Sequence, residues 1–313
     1  MINKSIRPLN LSTDLKEIAN LLFVCFSDSM DEDGKRYIEY LRRFSQSLLF
    51  TKMAERNPEK YSLPGEGFIY EDMGKLVGNI TLSPMKYQQE IIYLVSNVAV
   101  LPEYRGKGIA KALTKTALQY VESKGVKQVW LQVKQENQAA IDLYTQFQFQ
   151  SFMTRTTWIR KNTNIFLQQP EKIFLRKRKK DEWEIQQKLL ERIYPAELTT
   201  AYGFEIASIQ PRLRNVINDV LRSRITTHWV CEIDQQIGFI SYDLFPEQSY
   251  VNLWVAVPET MEEQFLEVLI PTVHYRIGKE VRVNYPENEC SACFREIGMQ
   301  ELNTLLWKRK YLA

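Results

Sequence analysis

The chain has 313 residues, 44% of them hydrophobic and 25% charged, and a formal net charge of +3 from 41 basic and 38 acidic side chains. That length suits about two domains, and so even a charge balance excludes nucleic-acid binding driven by a basic surface. Four cysteines and two histidines are too few for a disulfide scaffold or a zinc array. No apolar run approaches membrane-spanning length and no leader pattern stands at the N-terminus, so the expectation is a reduced, cytoplasmic protein without a membrane partner.

Taken in chain order, Ser5–Leu9 predicts a short strand. Thr13–Phe26 carries Leu15, Ile18, Ala19 and Leu22 at helical spacing, with Thr13 and Asp14 as capping candidates. Tyr37–Phe50 repeats that pattern, and Asn57-Pro58 and Leu63-Pro64-Gly65 mark loops. Gly67–Asp72 and Lys75–Ser83 predict a hairpin around Met73-Gly74, and Ile91–Val100 a buried strand. Ile109–Lys124 predicts a helix stopping near Gly125. A strand over Gln128–Lys134, a helix over Gln138–Gln146 and a closing strand over Phe152–Arg160 follow. Asn162-Thr163-Asn164 and Gln168-Gln169-Pro170 are linker-like. Beyond them, Glu182–Tyr194 and Asn215–Arg222 predict amphipathic helices, and Trp229–Asp234 with Gln236–Asp243 a second hairpin.

The chemistry concentrates between Val100 and Lys111. Arg105-Gly106-Lys107-Gly108-Ile109-Ala110 links an apolar strand, Val98-Ala99-Val100, to a helix. Glycines there let the backbone approach a pyrophosphate, and the helix start offers unpaired N–H donors at the positive end of its dipole. The alternative is a tight turn that uses glycine for geometry alone. The spacing is not that of a nucleotide-triphosphate loop, because Lys107 is followed by Gly108 and Ile109 rather than a hydroxyl residue. Nor is it a dinucleotide fingerprint, since Lys111 stands where the third glycine belongs.

Asn97 to Phe149 resembles the GNAT family of N-acetyltransferases. Arg105, Gly108 and Ala110 fill the family's pyrophosphate-loop pattern, and Asn137-Gln138-Ala139-Ala140-Ile141-Asp142-Leu143-Tyr144 resembles its second signature. The family usually places Gly-Phe shortly after the tyrosine, where this chain has Gln148-Phe149. The resemblance implies acetyl-CoA as co-substrate and acyl transfer to an amine on a small molecule or peptide. It implies cofactor contacts from Val98, Ala99 and Val100, from Arg105, Gly106, Lys107, Gly108, Ile109 and Ala110, and from Asn137. It implies Tyr144 as the general acid that protonates the departing thiolate. For Tyr144 the alternative is a ring packed in the core, and for Asn137 a helix cap. Among Glu66, Glu71, Glu90 and Asn97 no base can be singled out. Asp28, Asp31, Glu32 and Asp33 make the first helical region acidic, which suits a cationic amine and equally an exposed charged loop. A module that holds CoA without turnover is the alternative function.

The second half repeats the first. Leu253-Trp254-Val255-Ala256-Val257-Pro258-Glu259 echoes Asn97-Val98-Ala99-Val100-Leu101-Pro102-Glu103, and Val281–Gln300 lies over Leu131–Gln150 without a gap. The expected fold is α+β: two tandem GNAT-like domains, 1–165 and 166–313, each a mixed, mostly antiparallel sheet flanked by helices. In the second copy Met261-Glu262-Glu263-Gln264 replaces the glycine loop, Phe294 replaces Tyr144 and Glu287 replaces Asn137. Carboxylates at that helix start would repel a pyrophosphate, so the second copy reads as a fold kept and a cofactor site lost. Such a copy could instead serve interaction, and a homodimer is possible. Cys290 and Cys293 read as two small helix positions rather than a metal or redox pair, and Arg176–Lys180 as a solvated strand end.

Overall fold

The computed structural model describes residues 5–56, 63–161, 175–202, 204–212, 215, 224–245 and 248–312. The linker-like segments, the loop at 57–62 and nearly all of the helix expected over 215–222 lie outside these residues. The chain divides into two compact units, one of residues 1–152 with 307–313, the other of residues 153–306.

In the first unit, β1 (Ile6–Pro8), β2 (Glu66–Asp72), β3 (Lys75–Tyr87), β4 (Glu90–Val100) and β5 (Gln128–Lys134) lie side by side in that order, with the end of β12 (Gln300–Tyr311) next to β5. Pairing is antiparallel from β1 to β4, and β4–β5 is parallel. The helices are α1 (Leu11–Phe26), α2 (Glu32–Ser45), α3 (Leu48–Arg56), α4 (Ile109–Ser123) and α5 (Gln138–Gln146). Residues Leu76 to Leu82 of β3 are all buried, which requires cover on both faces of the sheet. Helix α1 supplies Leu15, Ile18 and Leu22 to that core, and α4 supplies Leu113, Ala117 and Val121. Gly78 is what lets α4 in: a Cβ there would stand 3.0 Å from the Ile109 side chain and 3.1 Å from that of Leu113.

Two expectations about these helices change. Asn10, not Thr13 or Asp14, caps α1, its side chain accepting the N–H groups of Ser12 and Thr13. Asp14 instead accepts the Asn10 N–H (2.8 Å) and pairs with both terminal nitrogens of Arg7. The pattern over Tyr37–Phe50 is divided between α2 and α3, with Asp31 capping α2 through the Gly34 N–H.

In the second unit the order runs β7 (Arg176–Lys177), β8 (Ile225–Ile233), β9 (Gln236–Leu244), β10 (Tyr250–Ala256), β11 (Glu280–Pro286) and β6 (Gln150–Arg160), then the first part of β12. Here too the fourth and fifth strands, β10 and β11, are parallel. The described helices are α6 (Trp183–Ile193), α7 (Ala196–Ala201), α8 (Glu262–Ile277) and α9 (Ser291–Glu296). Gly238 gives the Phe265 ring of α8 the close approach that Gly78 gives α4.

A division at 165/166 follows chain order, and the compact units do not. From residue 153 onward β6 lies in the second unit, where Val281 to Pro286 of β11 pair antiparallel with Arg160 to Arg155. Residues from Trp307 onward lie in the first, where the Leu312 N–H donates to the Lys127 carbonyl (2.8 Å). The strand expected to close the first domain therefore serves the second unit.

The basic run is bound rather than merely solvated. Arg176 forks onto Glu182, Arg178 donates to Gln186 and the Ile209 carbonyl, and Lys177 lies 3.9 Å over the Trp229 ring. Among the described residues no helix is long and apolar enough to cross a membrane.

Candidate active site

Strand β4 is paired on one side along its length and on the other only briefly. Its parallel pairing with β5 is limited to Tyr93, Leu94 and Val95, opposite Val129, Trp130 and Leu131. From Ser96 to Val100 the strand leaves β5, so one backbone edge opens there. The same stretch is bulged: Thr81 faces Ser96 while Asn79 faces Ala99. Asn97 absorbs the extra residue in the left-handed region at φ +51°. Its carbonyl is held by the buried Asn79 side chain, whose Nδ2 donates at 2.9 Å. Val98 is half-buried, and Ala99 and Val100 are buried.

The chain then turns through Pro102–Tyr104 into the glycine loop. Gly106 (φ +75°) and Gly108 (φ +79°) both require the left-handed region, and a Cβ on either would meet nothing within 4 Å. Their glycines answer to backbone conformation and leave open space beside the loop. Gly108 is the N-cap of α4 and has no side chain to satisfy the first-turn N–H groups. Those donors, including Ile109 and Ala110, face the open loop at the positive end of a 15-residue helix. Arg105, Gly106, Lys107 and Gly108 are exposed, Ile109 is buried and Ala110 half-buried. The Arg105 Nε donates to the Val100 carbonyl (3.2 Å), and the Lys107 ammonium stands 4.5 Å over the Tyr104 ring. The site thus keeps two cations and a row of N–H groups around one gap.

Helix α5 is tied to that loop. The Lys111 ammonium, in the first turn of α4, donates to the Gln146 side chain (3.1 Å), two residues beyond Tyr144. Asn137, exposed, caps α5, its side-chain oxygen accepting the Ala140 N–H (3.1 Å). The Tyr144 ring is buried edge-on to Phe149 (centroids 5.7 Å apart). Burial pushes its phenol up to about 12, so the group is a neutral proton carrier across the physiological range. Among the described residues the hydroxyl has no hydrogen-bond partner, yet it is not sealed from solvent. Gln148 takes the positive φ (+63°) that the family's glycine would take, so the turn after Tyr144 keeps its shape.

The four candidate bases separate. Glu71 is paired with Arg7 (2.8 Å), Glu66 with Lys124 (2.8 Å) and with the Tyr93 hydroxyl, and Glu90 with Lys127 (3.6 Å). Asn97 alone stands at the bulge, where it meets Tyr37 of α2, whose phenol is raised by burial and lowered in part by that hydrogen bond. In the acidic region Asp31 is spent on capping and Glu32 pairs with Lys35 (2.8 Å). Sequence reasoning missed Tyr37, Asn79 and Cys25, whose thiol shares the Val100 carbonyl with Arg105. Asn79 had a signal, as the lone amide inside the run Leu76-Val77-Gly78-Asn79-Ile80.

The second unit has the same splay, since β11 pairs β10 only from Tyr250 to Asn252. There the gap is filled. The buried Tyr194 hydroxyl accepts the Val255 N–H (3.1 Å), and Trp254 stacks on Phe204. Glu262 begins α8, bound to Arg192 and to the Cys290 thiol (3.2 Å). Phe294 stacks on Trp158 (centroids 5.1 Å apart, 14° between planes). Helix α9 starts about a turn later than α5, with Cys290 as its N-cap rather than a helix position. Both thiols are free and raised by burial, Cys293 up to about 12.

The model of the acetyltransferase (GNAT) family matches residues 17–149, from α1 to the end of the Tyr144 turn. That segment belongs to the GNAT family. N-acetyltransferase 8 of Mus musculus is 33% identical over 128 residues, covering 38% of this chain and 55% of that protein. The [Ribosomal protein bS18]-alanine N-acetyltransferase of Escherichia coli (strain K12) is 36% identical over 62 residues, 20% of this chain and 42% of that one. The chain spans about half the length of the curated relatives it matches. Among solved structures, a GCN5-related N-acetyltransferase from Sphaerobacter thermophilus superposes on 99% of this chain and 97% of its own, with TM-score 0.61 and 14% identity. A tandem GNAT protein from the clavulanic acid biosynthesis pathway covers 98% of both chains at TM-score 0.52 and 14% identity. The GNAT fold therefore extends through the second unit.

Proposed function

We propose that the first unit is an acetyl-CoA-dependent N-acetyltransferase acting on a primary amine of a small molecule or peptide. The observation that carries this reading is the uncapped, glycine-lined start of α4 beside the opened edge of β4, with the Tyr144 phenol on a helix tied to the same loop. The N–H groups of the Arg105–Ala110 loop suit a pyrophosphate, and the Val98–Val100 backbone suits the amides of a pantetheine arm. The cofactor supplies an activated acyl thioester. This chain's part is to align an amine beside it and to hold a proton at the Tyr144 oxygen for a departing thiolate.

Two variants test this. Tyr144→Phe is expected to lower turnover about a hundredfold or more while leaving acetyl-CoA affinity intact, read by free-thiol release and calorimetry. Gly108→Val is expected to abolish binding, because a β-branched residue in the left-handed region is strained by about 1–2 kcal/mol and its side chain enters the phosphate space. Unchanged acetyl-CoA affinity in Gly108→Val sinks the reading. Wild-type binding with no thiol release across polyamines, aminoglycosides, amino acids and peptides favours the module that holds CoA without turnover.

A further inference from the structure

A well-formed cavity stands away from the glycine loop. It lies wholly in the second unit and measures about 720 Å³, within the range of small-molecule sites. Its floor is the face of the sheet that carries Asp243, Asn252 and Trp254. Cross-strand register places Asp243 opposite Thr226, and Trp254 opposite Ser241. Its wall is the segment after α7, which brings Phe204, Glu205 and Arg212.

The lining has a definite chemistry. Phe204 is stacked flat on Trp254, with planes 7° apart, and gives a rigid aromatic surface. Arg224 is paired with Asp243 (3.3 Å), whose other oxygen accepts the Thr226 hydroxyl (2.7 Å), so the floor charges are fixed in place. The side chains of Glu205 and Arg212, on the wall, have no partner among the described residues. Two guanidiniums and two carboxylates thus face one space. A simple anion would meet Glu205 and Asp243, and a simple cation would meet Arg212 and Arg224. A ligand carrying both charges leaves neither sign uncompensated, and an apolar portion has the stacked rings to lie against.

We propose that the second unit binds a small zwitterion, an amino acid or dipeptide, in this cavity and does not acylate it. The second clause follows from Tyr194, whose hydroxyl already takes the Val255 N–H where β10 leaves β11, and from the Glu262 carboxylate at the start of α8. The proposal does not depend on the activity assigned to the first unit.

The test uses the full chain and its tryptophan fluorescence, confirmed by calorimetry, against the common amino acids, a dipeptide set, and matched ligands that carry only an amine or only a carboxylate. Saturable binding of zwitterions is expected, with the singly charged analogues weaker. Arg212→Ala is expected to weaken it about tenfold or more, the usual cost of a lost charge-assisted hydrogen bond. Arg212 is exposed, so that variant should fold, and circular dichroism checks it. Gly108→Val should leave the affinity unchanged. The proposal is overturned by no zwitterion binding below about 10 mM, an affinity of only ~3 kcal/mol. It is overturned equally by binding that survives Arg212→Ala, by binding lost in Gly108→Val, which would place the ligand in the first unit, or by acylation of the ligand that persists in Gly108→Val.

Discussion

Single side chains decide what each unit can do, and some of them also set its response to acid. The chain's two histidines are both in the second unit, His274 buried and His228 half-buried. Burial, with the nearby cations Arg178, Lys177 and Arg224, lowers His228 to about 3, and burial with Arg160 lowers His274 to about 4. A folded-state value below the unfolded one means that folding excludes a proton. Nothing is lost above the ordinary histidine value, and stability falls as pH drops below it, by up to about 1.4 kcal/mol per pH unit for each ring between about 6.5 and its folded value. Urea unfolding across pH 7 to 4 should therefore show stability declining before carboxylates titrate, and His274→Gln should flatten that slope. Asp14 acts lower on the scale. Burial raises its carboxyl, but Arg7, the Asn10 N–H and Thr13 more than reverse this, so its contribution is present above the ordinary carboxylate range and lost as pH falls through a depressed value. Of the individual roles, Tyr144 and Asn137 were readable from the sequence as positions. Tyr37 was not, because only the Asn97 bulge brings an α2 side chain to β4.

At the scale of elements, the repeat was readable because both halves obey the same turn. After Tyr144, Gln148 at φ +63° receives the helix end, with the Phe149 N–H donating to the Tyr144 carbonyl (3.0 Å). After Phe294, Gly298 at φ +77° does the same, with the Met299 N–H donating to the Phe294 carbonyl (2.9 Å). A glutamine in the left-handed region costs about 1–2 kcal/mol, partly offset by the chain entropy a glycine loses on folding. Gln148→Gly is thus expected to stabilise the first unit by about 0.5–1 kcal/mol, read as a higher unfolding midpoint in urea. The misplaced cap has an equally local reason. Asn10 precedes a leucine and two hydroxyl residues, and the periodic pattern alone does not say which polar residue begins the helix. Asn10→Ala should cost about 1 kcal/mol by the same measurement. The start of α9 was unreadable for a different reason: the gapless match carried the length of α5 onto a segment where Pro286 and the left-handed Asn288 and Cys290 delay the helix by about a turn.

On the scale of the whole molecule, tandem organisation was legible in the echo around Pro102 and Pro258, but the allotment of strands was not. Strand pairing is non-local, and nothing in the local pattern of Gln150–Arg160 says which β-strand will receive it. The structure pairs it with β11, so fragments cut at 165/166 each lose a strand their unit uses: 1–165 lacks the end of β12 beside β5, and 166–313 lacks β6 beside β11. Exposed central edges favour association. Each fragment expressed alone is expected to aggregate, and co-expression to recover soluble material with native circular dichroism; a folded, monomeric 1–165 would contradict this. The same allotment bears on how the protein is made. Arg155 of β6 finds its partner Asn284 only 129 residues later, a delay of roughly 6 to 26 s at ordinary rates of translation. Through that interval the strand has left the ribosome with no partner yet synthesised, and the first unit waits for residues 307–312 before β5 gains its neighbour. Yield in the cell should therefore depend on what shields the nascent chain as much as on the stability of the finished fold.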